Sequence, residues 1–305
     1  MASESTFIAL MRSMATDPSA RGLLDDTAVI KLGAETLILT HDMMAEDVHW
    51  LPTADAADVA WKLVSANLSD LAAKGARPLG VLLGFMLGND AWDRRFAQGL
   101  EAALKHYDVA LLGGDTVSNR GDKRALGMTA VGAARFTPVP SRSGAQPGDL
   151  LYVTGTLGDA LAGFEMAEVG LEGATSLMSA YHRPAAKLAE GQALAALVTA
   201  MMDVSDGLLI DAERMAVASK VNITIDLANI PLSAPYRQQR GDSLDSRLQA
   251  ASWGDDYQLL FTAPNGLELP LPATAVGHVT AGSGLSLTDG GTPIPLPATL
   301  GYQHR

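Results

Sequence analysis

The sequence predicts a two-domain α/β (α+β) protein, and three observations carry the prediction. The chain has 305 residues, about twice an ordinary domain and enough to bury substantial cores. Strand-like and helix-like runs are mixed in both halves, the pattern of sheets layered with helices. Between Arg135 and Asp149 the chain is rich in Ser and Gly and has prolines at 138, 140 and 147, so no regular element can run through it. The expected division is residues 1–137 and 148–305.

In the first half, apolar runs at Thr36–Thr40, Val81–Leu87, Val109–Leu112 and Leu126–Ala133 read as strands. The stretches Asp55–Lys74 and Asp93–His106 carry helical periodicity. In the second half, a strand at Leu150–Thr154 enters the turn Gly155–Gly158, and a helix follows over Asp159–Val169 with an acidic residue near its positive end. Further helices are expected at Ala174–His182, Pro184–Leu197 and Leu208–Ser219, and strands at Val221–Asp226, Tyr257–Thr262 and Ala275–Val279. No fixed-period repeat is present.

Composition narrows the function before any motif is read. A content of 48% hydrophobic and 18% charged residues is that of a globular chain. With 22 Lys+Arg against 34 Asp+Glu the net charge is −12, so the basic face that nucleic acid requires is missing. The absence of cysteine removes disulfides, thiolate zinc sites, iron–sulfur clusters and cysteine nucleophiles. The N-terminus is acidic where a signal peptide is basic. The longest apolar run, Leu79–Leu87, is interrupted by Gly80 and Gly84 and is far shorter than the ~20 residues that span a bilayer. A soluble cytoplasmic protein without a membrane partner is expected.

Phosphate-binding Gly-x4-Gly-Lys-Ser/Thr, dinucleotide Gly-x-Gly-x-x-Gly, zinc His-Glu-x-x-His and Gly-x-Ser-x-Gly nucleophile motifs are all absent. What stands out is a series of aspartates at expected strand ends and turns: Asp25-Asp26, Asp42, Asp70, Asp115, and Asp203 with Asp206. Each follows an apolar run and adjoins small residues that permit close approach of a ligand. A single such Asp is commonly a cap or turn residue. Several that converge repel one another in a low-dielectric cleft, and divalent cations relieve the repulsion. Mg2+ favours carboxylate and hydroxyl oxygens and bridges to phosphates, so an acidic protein can hold an anionic substrate through metal. The Asp55–Lys74 helix agrees: Asn67 and Asp70 share one face of an Ala/Leu-rich helix, where polar burial is costly unless something binds it.

Asp25-Asp26-Thr-Ala-Val, the segments 39–50, 67–78, 111–116, 142–160 and 203–208, and Gly-Asp-Asp-Tyr-Gln-Leu-Leu-Phe-Thr at 254–262 resemble, in order and spacing, the thiamine-monophosphate kinase family of the aminoimidazole ribonucleotide synthetase-like superfamily. The resemblance runs from about residue 20 to Tyr302. Segments 67–78 and 142–149 mark the superfamily; Asp47-Val-His-Trp50 and the 254–262 segment narrow it to the kinases.

The resemblance implies a two-domain fold of that superfamily, with an ATP- and Mg2+-binding N-terminal domain that pairs with its twin in a homodimer, and a C-terminal domain that completes the cleft. It implies transfer of the γ-phosphoryl group of ATP to thiamine monophosphate, giving thiamine diphosphate and ADP, with several Mg2+ ions. The implied metal ligands are Asp25, Thr40, Asp42, Asp70, Asp115, Asp203 and Asp206, with Asp42, Asp70, Asp115 and Asp206 the catalytic centre. Tyr107, Gly114, Asp115, Arg142 and Ser205 would contact ATP; His49, Asp255 and Tyr302 would contact thiamine monophosphate.

Three positions depart from the family pattern: Leu24 stands where Gly is usual, His41 where Thr or Ser is usual, and Asp255 where Glu is usual. Asp255 is expected to open a strand and face the cleft, with Tyr257 and Leu259 following at period two. Two other functions stay open on sequence: an ATP-dependent synthetase of the same superfamily, and a thiamine-phosphate or nucleotide sensor without turnover.

Overall fold

A computed structural model describes residues 4–118, 121, 123–171 and 175–304. The first half begins with helix α1 (Glu4–Arg12). Its sheet contains β1 (Ala28–Leu32), β2 (Glu35–Ala45), β3 (Ala76–Leu87), β4 (Leu111–Ser118) and β5 (Ala125–Ala134), in the order β1-β2-β5-β3-β4. Only the β3–β4 pair is parallel, as the crossover through α3 (Asp90–Tyr107) requires.

Helix α2 (Ala56–Ala73) lies across one face of this sheet and is buried along almost its whole length. Asp55 caps it by accepting from the Ala57 amide at 2.8 Å. Ile38, Met44, Val81, Leu126 and Met128 of the sheet meet Val59, Leu63, Leu68 and Leu71 of the helix in one core. Two glycines let neighbouring helices press in: a Cβ at Gly99 of α3 would stand 2.3 Å from Ala57, and one at Gly191 would stand 1.9 Å from the Ala72 carbonyl oxygen. A helix gripped on all sides has no solvent for its polar residues, so Lys62, Ser65, Asn67, Ser69 and Asp70 must find partners in the protein.

The second half holds α4 (Asp159–Glu168), α5 (Ser176–His182), α6 (Leu188–Leu194), α7 (Leu208–Ser219), α8 (Ala234–Arg240) and α9 (Leu244–Ser252). Its strands are β6 (Asp149–Val153), β7 (Ala200–Asp203), β8 (Asn222–Asp226), β9 (Leu259–Pro264), β10 (Thr274–Thr280), β11 (Gly284–Asp289) and β12 (Thr292–Ile294). They form a sheet in the order β12-β11-β8-β10-β6-β9-β7, mixed because β11 and β8 run parallel. Leu208, Leu209, Ala212 and Met215 of α7 pack with Ile223, Ile225, Val276 and Leu260 of the sheet. No helix or strand lies between Ala134 and Asp149. Helix α6 belongs to the second half by sequence but packs on α2, and Trp61 Nε1 donates to the Pro184 carbonyl at 3.2 Å, so the two halves are locked together.

Several expected elements shift. The Pro184–Leu197 helix contracts to α6. The Val109–Leu112 strand becomes Leu111–Ser118, since the Gly-Gly-Asp-Thr run pairs with β3 despite its low strand propensity. The Tyr257–Thr262 strand starts only at Leu259, because Asp255 and Tyr257 have φ of 65° and 47°, which no strand accommodates. The expected start of the fifth helix, Ala174, lies outside the described residues. Strands β1, β7, β11 and β12 and helices α1, α8 and α9 are short or weakly patterned and are not foreseen. No helix among the described residues is long and apolar enough to cross a membrane.

Candidate active site

A cavity of about 1180 Å³ opens between the two halves. Its floor is acidic because four segments meet at the same place: the turn before β1, the middle of β2, the C-terminal part of α2, and the end of β7. Asp26, Asp70 and Asp203 each bring a carboxylate oxygen into a group whose members lie within 4.8 Å of one another. Asp70 accepts a hydrogen bond from Thr40 Oγ1, and Asp203 accepts from Ser69 Oγ at 2.6 Å. The Asn67 amide oxygen accepts from the Asp42 backbone N–H at 3.1 Å, which fixes β2 against α2.

Burial drives the electrostatics here. It pushes the Asp70 carboxyl well above its ordinary range, with Asp42, Asp203 and Asp26 adding like charge. Burial raises Asp203 to about 8, aided first by Asp26, and raises Asp42 to about 6, with Asp26 and Asp206 contributing. Such crowding of desolvated carboxylates calls for a cation. All-oxygen donors, a neighbouring hydroxyl and this excess of negative charge fit a hard divalent ion such as Mg2+.

Cationic side chains already hold part of the rim. Lys74 Nζ donates to Asp25 at 2.6 Å and Asp26 at 2.5 Å. Burial opposes its charge, but the two carboxylates outweigh burial and raise its pKa. Burial likewise disfavours the Asp25 carboxylate, yet Lys74 and Arg21 hold its carboxyl below the ordinary range. Arg142 Nε donates to Asp26 at 2.8 Å. Arg214 bridges Asp206 at 2.5 Å and Asp211 at 2.8 Å, and Asp211 accepts from the Ser205 and Asp206 amides, both at 3.2 Å. That clamp shapes the turn after β7.

The loop before β9 is zipped onto this turn. Asp255 N donates to the Ser205 carbonyl and Tyr257 N to the Val204 carbonyl, both at 2.8 Å. A Cβ at Gly254 would stand 2.3 Å from the Ser205 oxygen, so glycine is what permits the contact. Tyr302 N donates to the Asp206 carbonyl at 2.9 Å, which draws the C-terminal segment to the cavity.

Among the residues expected from sequence, Asp25, Asp42, Asp70, Arg142, Asp203, Ser205 and Asp206 line the cavity, as do His49, Asp255 and Tyr302, and Thr40 bonds to Asp70. Tyr107, Gly114 and Asp115 lie elsewhere. The Tyr107 hydroxyl meets Ser65 Oγ at 3.0 Å and the Ala186 amide at 3.1 Å. Gly114 and Asp115 sit on the exposed edge strand β4. Gly114 has φ of 153°, and a Cβ there would stand 1.9 Å from the Leu83 carbonyl oxygen. Asp255 precedes β9 instead of opening a strand. Its aim comes from the left-handed backbone and from hydrogen bonds, not from strand alternation. Leu24 has an ordinary φ of −112°, so this backbone does not need glycine. His41 points to the other face of β2, bonded to Thr129 at 2.9 Å, apart from Thr40 and Asp42.

The sequence names Asp25 and Asp26 together among the converging aspartates, but the metal set implied by resemblance takes only Asp25, and Ser69, Lys74, Asp211, Arg214 and Lys62 are not singled out. A charged residue in an Ala/Leu-rich helix is a readable signal for Lys62 and Lys74; Arg214 and Ser69 carry none.

Two layered halves thus face each other across an acidic cleft suited to a divalent cation. Residues 24–134 match the AIR synthase related protein N-terminal domain and residues 146–290 match the C-terminal domain of the same family. The chain belongs to the AIR synthase related proteins and, within them, to the thiamine-monophosphate kinase family. It is 37% identical to the thiamine-monophosphate kinase of Escherichia coli K12, over 93% of this chain and 91% of that one. Among solved structures, AaThiL complexed with AMPPCP and TMP superposes with a TM-score of 0.88 at 30% identity, covering 99% of this chain and 97% of the other. The thiamine-monophosphate kinase of Stenotrophomonas maltophilia K279a superposes with a TM-score of 0.77 at 34% identity, covering 94% and 96%.

Proposed function

We propose that this protein phosphorylates thiamine monophosphate with ATP, giving thiamine diphosphate and ADP. The observation that carries the reading is the buried group Asp26, Asp70 and Asp203 in a cavity that Arg142, His49 and Asp255 also line. Its likeness to a solved relative holding AMPPCP and TMP supports the same two ligands here. In the reaction an oxygen of the acceptor phosphate bonds to the γ-phosphorus, the bond to the β,γ-bridging oxygen breaks, and ADP leaves. Joining two polyanions is chiefly a matter of positioning and charge neutralisation.

Bound Mg2+ would neutralise phosphate charge and align the reacting groups. Asp26, Asp42, Asp70 and Asp203 would hold it, with Thr40 and Ser69 orienting two of those carboxylates. Asp25 and Asp206 border the same group and would bind further ions once Lys74, Arg21 and Arg214 yield. Arg142 and Ser205 would face the ATP phosphates; His49, Asp255 and Tyr302 would receive the thiamine moiety. We place the division between the two domains within residues 138–147.

Gly114, Asp115 and Tyr107 fit the same reading if a second copy covers β4, whose outer edge pairs with no strand among the described residues. The exposure of Leu111, Leu112, Val117, Met43 and Leu82 around it favours a homodimer through this face. A reaction that consumes ATP belongs in the cytoplasm, and we place the enzyme there.

Incubation with ATP, Mg2+ and thiamine monophosphate, followed by chromatography, tests the reading. Thiamine diphosphate with equimolar ADP is expected. ADP with free inorganic phosphate, or no turnover at all, would overturn it.

A further inference from the structure

Lys62 rises from the middle of α2 with its side chain 3% exposed. Its ammonium donates to Asp255 Oδ2 at 2.7 Å and to the His49 carbonyl at 3.1 Å, and lies 4.2 Å from the centre of the Tyr181 ring. Those partners come from three places in the chain: the turn after β2, helix α5, and the loop before β9. One buried cation thus joins two residues expected at the substrate and bridges the two halves.

Asp255 is fixed from both sides, because its second oxygen accepts from the Tyr257 hydroxyl at 3.1 Å. Each carboxylate oxygen offers two acceptor positions, so one remains on each for a ligand. Around it the cavity is aromatic. Phe164 lies 5.1 Å from Trp253 and 5.5 Å from Tyr181, centre to centre, and all three line the cavity. Aromatic faces suit a flat heteroaromatic ring, the more so a cationic one.

A mobile carboxylate in this cavity would be drawn to any cation among Asp26, Asp42, Asp70 and Asp203. We propose that Lys62 is a positioning residue for substrate selection: it holds Asp255 against α2, away from the metal-binding aspartates, and reserves that carboxylate for the amino group of the substrate's heteroaromatic portion. The inference rests on the proposed kinase function.

The test is steady-state kinetics of Lys62→Gln, Lys62→Met and Asp255→Asn, with thermal melts of each. The Gln variant keeps a donor without charge, so folding is retained. Its KM for thiamine monophosphate is expected to rise about 10- to 100-fold, the factor a charged hydrogen bond carries, and the Met variant's more. The KM for ATP should stay within about twofold under the same reasoning, because the partners of Lys62 are Asp255, the His49 carbonyl and the Tyr181 ring and include none of the residues expected at ATP. In an Asp255→Asn background, Lys62→Gln should add almost nothing, since Lys62 acts through Asp255. A merely structural lysine would raise both Michaelis constants together and multiply with Asp255→Asn, and either result overturns the inference. An unchanged KM for thiamine monophosphate in an active enzyme overturns this inference alone. A wild-type protein that makes no thiamine diphosphate overturns the kinase function as well.

Discussion

Lys74 Nζ lies 2.6 Å from Asp25 Oδ1 and 2.5 Å from Asp26 Oδ2, and its side chain has no exposed surface. It is the one counter-ion shared by two carboxylates that are themselves 2% exposed, with Arg21 also on Asp25 and Arg142 also on Asp26. Removing one partner of a buried ion pair costs about 3–5 kcal/mol when the remaining charge has no other partner, and with Arg21 still on Asp25 and Arg142 still on Asp26 the lower end, about 3 kcal/mol, applies. Lys74→Met should therefore lower the unfolding free energy by about that amount in urea titrations run in excess chelator. Mg2+ should restore part of it, because a divalent ion can neutralise Asp26 with Asp70 and Asp203. A loss under about 1 kcal/mol would mean that Arg21 and Arg142 suffice as counter-ions for the two aspartates without Lys74.

Stability without metal should fall as pH rises. The carboxyls of Asp42 and Asp203 are raised to about 6 and about 8, and Asp70 is raised well above its ordinary value. Through these three carboxyls the folded state binds more protons than the unfolded chain, so their stabilisation present below pH ~4 is lost between pH ~4 and pH ~8, against the smaller opposite trend of His49 and His182, whose imidazoles burial holds low. Asp25 has the opposite sign, being held low by Lys74 and Arg21 after burial is overcome, but its contribution changes only below that window. Thermal melts in chelator should show a falling midpoint from pH 5 to pH 8, and Mg2+ should flatten the trend. A rising midpoint in chelator would contradict the carboxylate crowding.

Much of this site is readable from the sequence, and what is not has a physical cause. Asp203 ends β7 as its apolar run suggests, whereas Asp42 lies inside β2, which runs on past the expected strand end to Ala45, and Asp70 reaches the cleft from within α2, on the face it shares with Asn67. The choice between Asp25 and Asp26 does not follow from pattern, because adjacent residues in a turn separate only when Lys74 and Arg142 pull on them. The aim of Asp255 is hidden as well: its left-handed backbone is set by contacts with Val204 and Ser205, about fifty positions earlier in the chain. Local propensity carries no trace of such long-range hydrogen bonds. Helix α2 reads as a helix from periodicity, yet its burial on every side depends on Gly99 and Gly191 admitting neighbours.

Asp70→Asn should trade activity for stability. The carboxylate is buried, bonded to Thr40 and raised by its neighbours, so a neutral amide relieves repulsion. The metal-free variant should melt several degrees above wild type near pH 7, since about 1 kcal/mol shifts a midpoint by a few degrees at this size. The same change removes a charge from the metal group. A term of several kcal/mol in the transition state corresponds to a loss of ~10²- to 10³-fold in turnover. A variant with near-normal turnover at ordinary Mg2+ would show that Asp70 serves only the fold.

The last prediction separates an active site built within one chain from one shared between two. Asp115 lies on the exposed strand β4, outside the cavity that Asp70 lines, although both are expected to serve one reaction. If a second copy pairs across β4, Asp115 of one protomer can complete the cavity of the other. Asp115→Asn and Asp70→Asn homodimers should each be nearly inactive. When the two are mixed, dissociated and reassembled, half of the dimers are mixed pairs, and in each such pair one cavity receives both lesions while the other receives neither. About a quarter of wild-type turnover should return, as twofold symmetry dictates. No recovery, with mixed dimers demonstrated by native mass spectrometry, would place Asp115 and Asp70 in the same protomer's site. Leu112→Asp on the same strand supplies the control. Leu112 is 56% exposed in the single chain, so a charge there should leave the fold intact, shift the sedimentation pattern toward monomer and lower turnover with it.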